Sequence, residues 1–320
     1  MILIDEYFQE KRLYNSLKSF WKEDKLIIFQ NICTRSLEKN AMSIISNILI
    51  QINSKIGGVS YKVNFDSDIL KRELMVIGVD SSSYFINGEK YHSISFCASL
   101  NNDFSKYTNK KIIVSDYEYL NTNYPISNFI IESLGEYFKL NNSLPKGIII
   151  YRQGIGIGQR EYIKEEVLNI ENILSGKSDI EFLNGLNIQY YYILVNKKTS
   201  LKFFEIEHPN NNNKAFDNDF YNNPESGLLV CDNIIKGNEF EFYIQPQKVT
   251  QGTATPTNYS VLYGNMNCPK IIPKLTFDLC FIYSNWRGPV RIPAPLKYAE
   301  KLAKVKFGLN EKIKNNLSYI

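Results

Sequence analysis

Short apolar runs that stop at polar residues are the strongest pattern along the chain. MVIGVD at 75–80, GIIIYR at 147–152 and QYYYILV at 189–195 are three such runs. Runs of this length predict central strands that are buried on both faces of a sheet. The alternating segment YHSISFCASL at 91–100 predicts a half-exposed strand, and the Asn-Gly pair at 87–88 predicts a hairpin that joins it to the first run.

Segments with apolar residues at helical spacing separate these strands. We expect helices at about 7–23, 37–53, 126–139, 160–175, 270–283 and 296–306, and further short strands at 25–30, 227–231, 240–245 and 259–263. The paired glycines at 57–58 indicate where the second helix stops. Central strands that alternate with helices, opened by a hairpin, predict an α/β fold with a mixed sheet.

Composition narrows the class of protein without choosing a function. The chain has 320 residues, 44% apolar and 22% charged, which suffices for one large domain or two modest ones. A net charge of +4 favours an anionic partner only weakly. The five cysteines are scattered without a CxxC pair, which favours reduced thiols over zinc. Because no apolar run approaches a membrane span and no secretory signal is visible, we expect an intracellular protein, cytoplasmic or nuclear, with no membrane contact.

A glycine-rich loop follows the second central run, with glycines at 154, 156 and 158. The spacing is GxGxG instead of the dinucleotide-binding GxGxxG, no suitable acidic residue follows about 20 positions later, and no GK[ST] is present. These features favour a strand-to-helix turn that needs positive φ over a nucleotide phosphate cradle.

Four segments together carry a specific resemblance. They are GVDSSSYFINGEKYHSISFCASLNNDFSKY (78–107), IIIYRQGIGIGQ (148–159), TPTNYSVLY (255–263) and LTFDLCFIYSNWRGPVRIPAPLKYAEKLA (275–303). In this order they resemble the Piwi branch of the Argonaute/Piwi family, whose members carry YRDGVGDGQ and PTHY at the corresponding places. The resemblance implies an RNase H-like Piwi domain with a mixed central sheet at 61–320. It also implies part of a Rossmann-like Mid domain, with a 5′-phosphate pocket, at 1–60.

The resemblance also indicates the fate of a metal-dependent nuclease site. Active members hold two divalent metals with an Asp, a Glu, a second Asp and a final His or Asp, because carboxylates neutralise the metals. Here the first acid is kept as Asp80, while Gln153 replaces the second Asp and Asn258 replaces the His. The Glu position is open: it falls near Asn121, with Glu118 and Glu132 as candidates. We expect Asp80 to be a remnant and at most a weak metal ligand.

A second implied site binds the 5′ phosphate of a guide strand. The family pattern of a Tyr, a Lys, a Gln and a Lys, with a further Lys in some members, falls on Tyr14, Lys18, Gln30, Lys55 and Gln51, respectively. The tyrosine would stack on the first base, and the lysines and Gln30 would bind phosphate oxygens. The resemblance adds the C-terminal carboxylate of Ile320, in some members through a divalent metal, so Mg²⁺ is a candidate cofactor there. Singly, the Tyr14 and Lys18 pair and Lys55 are more typical of an ordinary helix surface and helix end. Jointly, in the family's order and spacing, they favour the phosphate pocket.

These features predict a protein that binds a small guide RNA, pairs it with complementary target RNA and silences without cutting. Silencing-effector proteins are expected as further partners, and the protein is expected to be a monomer. Two alternatives stay open: an active metal-dependent endoribonuclease that uses Asp80 with Glu118 or Glu132, and an interaction module that no longer binds RNA. The two histidines, His92 and His208, lie at no motif position.

Other basic residues fit contacts to a nucleic-acid backbone, which carry affinity without sequence preference. They are Lys110, Lys111, Arg152, Arg160, Lys197, Lys198, Lys202, Lys248, Arg287 and Arg291. Any one of them alone is typical of a solvated surface charge.

Overall fold

The computed structural model describes most of the chain between Met42 and Val305, together with two short N-terminal pieces. The described residues are 2–4, 30–33, 42–121, 126–155, 158, 160–176, 185, 187–207, 220–231, 240–266 and 270–305. The helix predicted at 7–23 and residues 25–29 of the following strand lie outside them. So do four residues that the sequence singles out, namely Tyr14, Lys18, His208 and Ile320.

The described elements alternate between strands and helices, as the apolar pattern predicts. The strands are β1 (Ile2–Ile4), β2 (Asn31–Cys33), β3 (Leu74–Ile86), β4 (Glu89–Ser99), β5 (Tyr107–Ser115), β6 (Gly147–Arg152), β7 (Gln189–Asn196), β8 (Glu205–Glu207), β9 (Phe220–Asn222), β10 (Leu228–Cys231), β11 (Phe240–Gln245) and β12 (Thr257–Gly264). The helices are α1 (Met42–Lys55), α2 (Ser67–Leu70), α3 (Asp116–Asn121), α4 (Ile126–Asn141), α5 (Arg160–Leu174), α6 (Ile271–Leu279) and α7 (Ala294–Ala303).

Eight of the strands form one mixed sheet in the order β10-β11-β12-β7-β6-β3-β4-β5. β3, β6 and β7 are mutually parallel, and the other neighbours are antiparallel. The register aligns Val79 with Arg152 and Arg152 with Leu194. Strands β6 and β7 therefore end side by side, next to Asp80 in β3, and we call this line the carboxyl edge of the sheet.

The sheet separates two apolar cores, because alternate residues of each central strand face opposite sides. Leu74 and Val76 of β3 join the core that includes α6 and α7 residues, while Met75 and Ile77 join the core that includes α4 and α5 residues. A Cβ on Gly78 would lie 2.2 Å from the backbone nitrogen of Leu296. Helix α7 therefore packs directly on the backbone of β3 at a point where only glycine fits.

The mixed α/β sheet predicted from the sequence is confirmed, and several of its elements differ from the prediction. Strand β3 continues past the predicted end at residue 80 to Ile86, so the hairpin with β4 is longer than expected. Strand β5 was not predicted. Its buried positions include Thr108, Asn109 and Lys111, so its hydropathy does not alternate as an edge strand's usually does.

Candidate functional site

Asp80 lies in β3 at the carboxyl edge and is only 3% exposed. Its neighbour across the edge is Gly154, which has a φ of +85°. A Cβ on Gly154 would come within 3.2 Å of Asp80 Oδ1 and 2.5 Å of Ser81 Oγ. The glycine loop therefore presses against the acid, and the positive φ expected of this turn is present at Gly154.

The carboxyl group of Asp80 has an unusual protonation equilibrium. Burial raises its pKa to about 6, and the nearby negative charge of Glu300 adds to the rise. The backbone N–H of Ser81 and the positive charges of Arg152 and Lys197 act in the opposite direction and are outweighed. Asp80 is thus half-protonated near pH 6, unlike a carboxylate that is held in its charged form at that pH.

Gln153 extends the ladder between β6 and β3, since its backbone N–H donates to the carbonyl of Val79 over 2.8 Å. Its side-chain Oε1 is buried and has no hydrogen-bond partner in the described part of the chain. The carbonyl of Gln153 accepts from Arg152 Nη1 at 2.7 Å. Arg152 is fully buried and pairs with Glu166 of α5 at 3.3 Å. This buried pair holds the backbone of Gln153 in place beside Asp80.

Asn258 lies further along the same edge, in β12, opposite Asn196 at the end of β7. Its amide donates to Glu241 of β11 over 2.7 Å. The hydroxyl of Ser260 donates to the same carboxylate oxygen over 2.9 Å. Glu241 is a carboxylate that the sequence reasoning missed. The sequence carries no signal for it, because its contact with Asn258 depends on the antiparallel register that places Glu241 opposite Ser260.

The two candidates for the missing Glu have other contacts near β5, two strands away from β3. Glu118 accepts from the backbone N–H of Ser115 at 2.8 Å, which lowers the pKa of Glu118. Glu132 pairs with Lys110 at 2.6 Å. Asn121 is the last residue of α3.

A second group of polar side chains joins α1 to the segment that precedes α7. Lys55 Nζ donates to Gln30 Oε1 over 2.8 Å, and Gln30 Nε2 donates to Gln51 Oε1 over 2.9 Å. Gln51 Nε2 then donates to the carbonyl of Asn285 over 3.4 Å. Lys55 is only 4% exposed and ends α1, where the helix dipole favours a cation. The three described members of the predicted phosphate pocket therefore lie together.

The segment 283–287 borders this group, which sequence spacing could not reveal. The hydroxyl of Tyr61 donates to the carbonyl of Tyr283 over 3.2 Å. Burial raises the pKa of Tyr61, and the positive charge of Arg287 partly offsets that rise.

Comparison with known proteins decides the family. The Piwi domain model matches residues 1–309. The chain belongs to the Piwi domain family. Protein argonaute-3 of Drosophila melanogaster is 34% identical over 294 residues, which are 91% of this chain and 31% of that protein. Piwi-like protein 1 of Gallus gallus is 30% identical over 299 residues, which are 92% of this chain and 32% of that protein. The chain thus spans about a third of the length of these relatives.

Solved structures agree with the fold. The crystal structure of Drosophila Piwi superimposes with a TM-score of 0.77 and 26% identity, covering 99% of this chain and 41% of that one. The crystal structure of Kluyveromyces polysporus Argonaute with a guide RNA gives a TM-score of 0.80 at 21% identity, covering 99% of this chain and 39% of that one. The expected RNase H-like Piwi fold is therefore confirmed.

The side chains at the carboxyl edge of this Piwi domain do not fit a two-metal centre. Such a centre needs several carboxylates around two divalent ions. In the part of the chain that the structure describes, no group of three or more His, Cys, Asp or Glu side chains is arranged to hold a metal ion. Gln153 and Asn258 supply amides, and the Asn258 amide already donates to Glu241.

Two of the basic residues expected to contact a nucleic-acid backbone have structural contacts instead. Arg152 is fully buried against Glu166, and Lys111 is 3% exposed with its Nζ donating to the carbonyl of Val305. The expectation was wrong for both, because a side chain without solvent exposure cannot reach a phosphate. Lys197, Lys198, Lys202 and Lys248 keep partial or full exposure. None of the helices in the described residues is long and apolar enough to cross a membrane.

Proposed function

We propose that this Piwi domain protein binds a short guide RNA by its 5′ phosphate, pairs it with a target RNA and does not cut that target. The observation that carries the proposal is the hydrogen-bonded set Lys55, Gln30 and Gln51, with Gln51 joined to Asn285. In this proposal residues 1–60 form the Mid-like wall of the pocket and 61–320 form the Piwi domain.

The chemistry of the pocket suits a terminal phosphate, which carries nearly two negative charges. Lys55 supplies a buried ammonium with three N–H donors, and the amides of Gln30 and Gln51 supply further donors. Tyr14 would stack on the first base, Lys18 would add a second ammonium, and the carboxylate of Ile320 would bind through Mg²⁺. A phosphate that enters the pocket would replace the amide contacts that now hold Lys55.

Guide binding is also supported by what similar solved proteins hold. The Kluyveromyces polysporus Argonaute structure is described with a guide RNA, and the Clostridium butyricum Argonaute structure with a guide DNA and a target DNA. Silencing without cleavage is supported by the amides at Gln153 and Asn258, because an amide cannot neutralise a metal as a carboxylate does. Silencing would then depend on effector proteins that the complex recruits.

The test is a filter-binding comparison of one RNA with a 5′ phosphate and with a 5′ hydroxyl. We expect the phosphorylated RNA to bind about 10- to 100-fold more tightly, which corresponds to one or two charge-assisted hydrogen bonds. Lys55→Ala should remove most of this difference. Lys71→Ala, which changes an exposed lysine paired with Asp68, should leave it unchanged. Equal affinity of the wild-type protein for both RNAs would overturn the proposal.

A cleavage assay tests the second half of the proposal. Guide-loaded protein is incubated with a matched target in Mn²⁺, and the target is expected to remain intact. A discrete product opposite the guide would instead assign the active endoribonuclease. Absence of any RNA that co-purifies with the protein, together with equal binding of both RNAs, would assign the interaction module.

A further inference from the structure

Three lysines converge on one buried carboxylate beside Asp80. Glu300 of α7 lies 3.0 Å from Lys197 Nζ, 3.2 Å from Lys297 Nζ and 2.5 Å from Lys304 Nζ. The side chain of Glu300 is 6% exposed, whereas those of the lysines are 24%, 34% and 64% exposed in the same order. We call these four residues the lysine cluster. Its carboxylate is inside and its ammonium groups face outward.

The lysine cluster carries more positive charge than its carboxylate neutralises. Burial raises the pKa of Glu300, but the hydrogen bond from Lys304 and the charges of Lys297 and Lys197 outweigh it and hold the pKa at about 2. Three ammonium groups against one carboxylate leave an excess of two positive charges, which an ionised Asp80 reduces to one. Each ammonium has three N–H donors, so donors remain for a second anion.

The packing of α7 on β3 places the lysine cluster at the carboxyl edge. Leu296 lies against Gly78, and the hydroxyl of Ser82 donates to the carbonyl of Ala303 over 3.1 Å. Asp80 lies midway between Gly78 and Ser82 along β3. Glu300 lies between Leu296 and Ala303 along α7. Lys197 reaches the same place from the end of β7, because it directly follows Asn196.

The lysine cluster can supply positive charge at an edge whose side chains do not suit divalent metal ions. The metals of an RNase H-type centre would supply positive charge to a target phosphodiester. Among the residues that the structure describes, no group of carboxylates at this edge is arranged to hold them. We propose that Lys197, Lys297 and Lys304, held together by Glu300, bind a backbone phosphate of the target strand in place of metal ions. At the carboxyl edge the protein would then hold the guide–target duplex without divalent cations and without the means to cleave it.

The competing explanation is that the lysine cluster only fastens α7 to the sheet. Partly exposed ion pairs contribute little to stability, so such a role predicts small changes in stability and none in RNA affinity. Lys146 is a matched control, because it pairs with Glu73 at 3.3 Å and precedes β6 at the opposite edge of the sheet.

The inference rests on the proposed binding of a guide and target, and the experiment separates the two. Affinity is measured by filter binding in Mg²⁺ and in EDTA, over a series of salt concentrations, for a phosphorylated guide alone and for the same guide paired with target RNA. Lys197→Gln/Lys304→Gln is compared with Lys146→Gln and with the wild-type protein. Lys304→Gln alone is included because its exposed position makes misfolding of this variant improbable on physical grounds.

We expect the double variant to bind the duplex about 30-fold more weakly at 0.15 M salt and the single variant about fivefold more weakly. The slope of log affinity against log salt should fall by about 0.9 for each lysine removed. Affinity for the guide alone and all values for Lys146→Gln should stay within about twofold of the wild-type protein.

Four outcomes would overturn the inference: unchanged duplex affinity in both variants, equal losses for guide alone and duplex, an equal loss in Lys146→Gln, or a larger loss of wild-type affinity in EDTA for the duplex than for the guide alone. Failure of the wild-type protein to distinguish phosphate from hydroxyl would overturn the proposed function instead. The duplex comparison can still be read in that case, because neither lysine belongs to the 5′-phosphate pocket.

Discussion

Asp80 shows how an aspartate behaves at a sheet edge where the amides of Gln153 and Asn258 are its neighbours. In an edge rich in metal-bound carboxylates, an aspartate is kept ionised by the metal charge. Here burial and the negative charge of Glu300 raise its pKa to about 6. The folded protein therefore binds the Asp80 proton more tightly than the unfolded chain, whose aspartates have a pKa near 3.9.

A first prediction follows for Asp80→Asn. Asp80 favours the folded state fully below about pH 4, and this contribution is lost as the pH rises through about 6. At pH 7.5 the variant should therefore be more stable to urea than the wild-type protein, by about 1–2 kcal/mol, and the difference should vanish near pH 4. Asp68→Asn, at an exposed position, is the control and should show no such pH dependence. A loss of stability at pH 7.5 would contradict the argument.

At the scale of elements, the sequence shows its apolar strands well and its polar ones poorly. GIIIYR is wholly buried and was predicted with the bounds that β6 has. Strand β5 was missed because two of its buried positions hold polar residues, Asn109 and Lys111. Lys111 is buried because its ammonium donates to the backbone carbonyl of Val305, a contact that the hydropathy pattern does not show. Helix α6 stops at Leu279, before the predicted 283.

The candidate sites likewise contain residues that the sequence could locate and residues that it could not. Motif spacing located Gln30, Gln51 and Lys55, and the structure places them in one hydrogen-bonded set. The spacing of Lys297, Glu300 and Lys304 on one helix could have been read as ion pairs. The ion pair between Lys197 and Glu300 could not be predicted in this way. The two residues are 103 positions apart, and their contact depends on how β7 and α7 pack.

The buried ion pair between β6 and α5 gives a prediction at the same scale. Glu166 is 1% exposed, lies 3.3 Å from Arg152 and accepts from the Tyr192 hydroxyl over 2.9 Å. Glu166→Gln would leave Arg152 buried without its counter-charge, so we expect a loss of about 3–5 kcal/mol in unfolding free energy. Glu161→Gln, in an exposed pair with Lys164 on the same helix, should change little. Equal effects of the two substitutions in urea denaturation would show that the buried pair has no special role.

Across the whole molecule, the C-terminal stretch 283–305 connects the two candidate sites. It begins beside α1, where the carbonyl of Asn285 accepts from Gln51. Its middle reaches the end of β7, where Arg291 Nη2 donates to the carbonyl of Lys197 over 2.5 Å. It ends on α7, where Glu300 holds the lysine cluster. A guide phosphate bound between α1 and this stretch would therefore stabilise contacts that extend to the carboxyl edge.

This connection predicts that a guide stabilises the fold as a whole. A ligand that binds only the folded state adds about 2.7 kcal/mol when its concentration is 100 times its dissociation constant. For a domain of this size we expect the melting temperature to rise by about 5 °C with a 5′-phosphorylated guide, measured in one cooperative transition. The hydroxyl guide should give a much smaller rise at the same concentration, and Lys55→Ala should reduce the effect of the phosphorylated guide to that level. Two separate transitions, of which the guide shifts only one, would mean that phosphate binding stabilises only the region around Lys55 and α1. The effect would then not extend through the stretch 283–305 to the sheet. Equal shifts for both guides would mean instead that the pocket around Gln30, Gln51 and Lys55 does not recognise the phosphate.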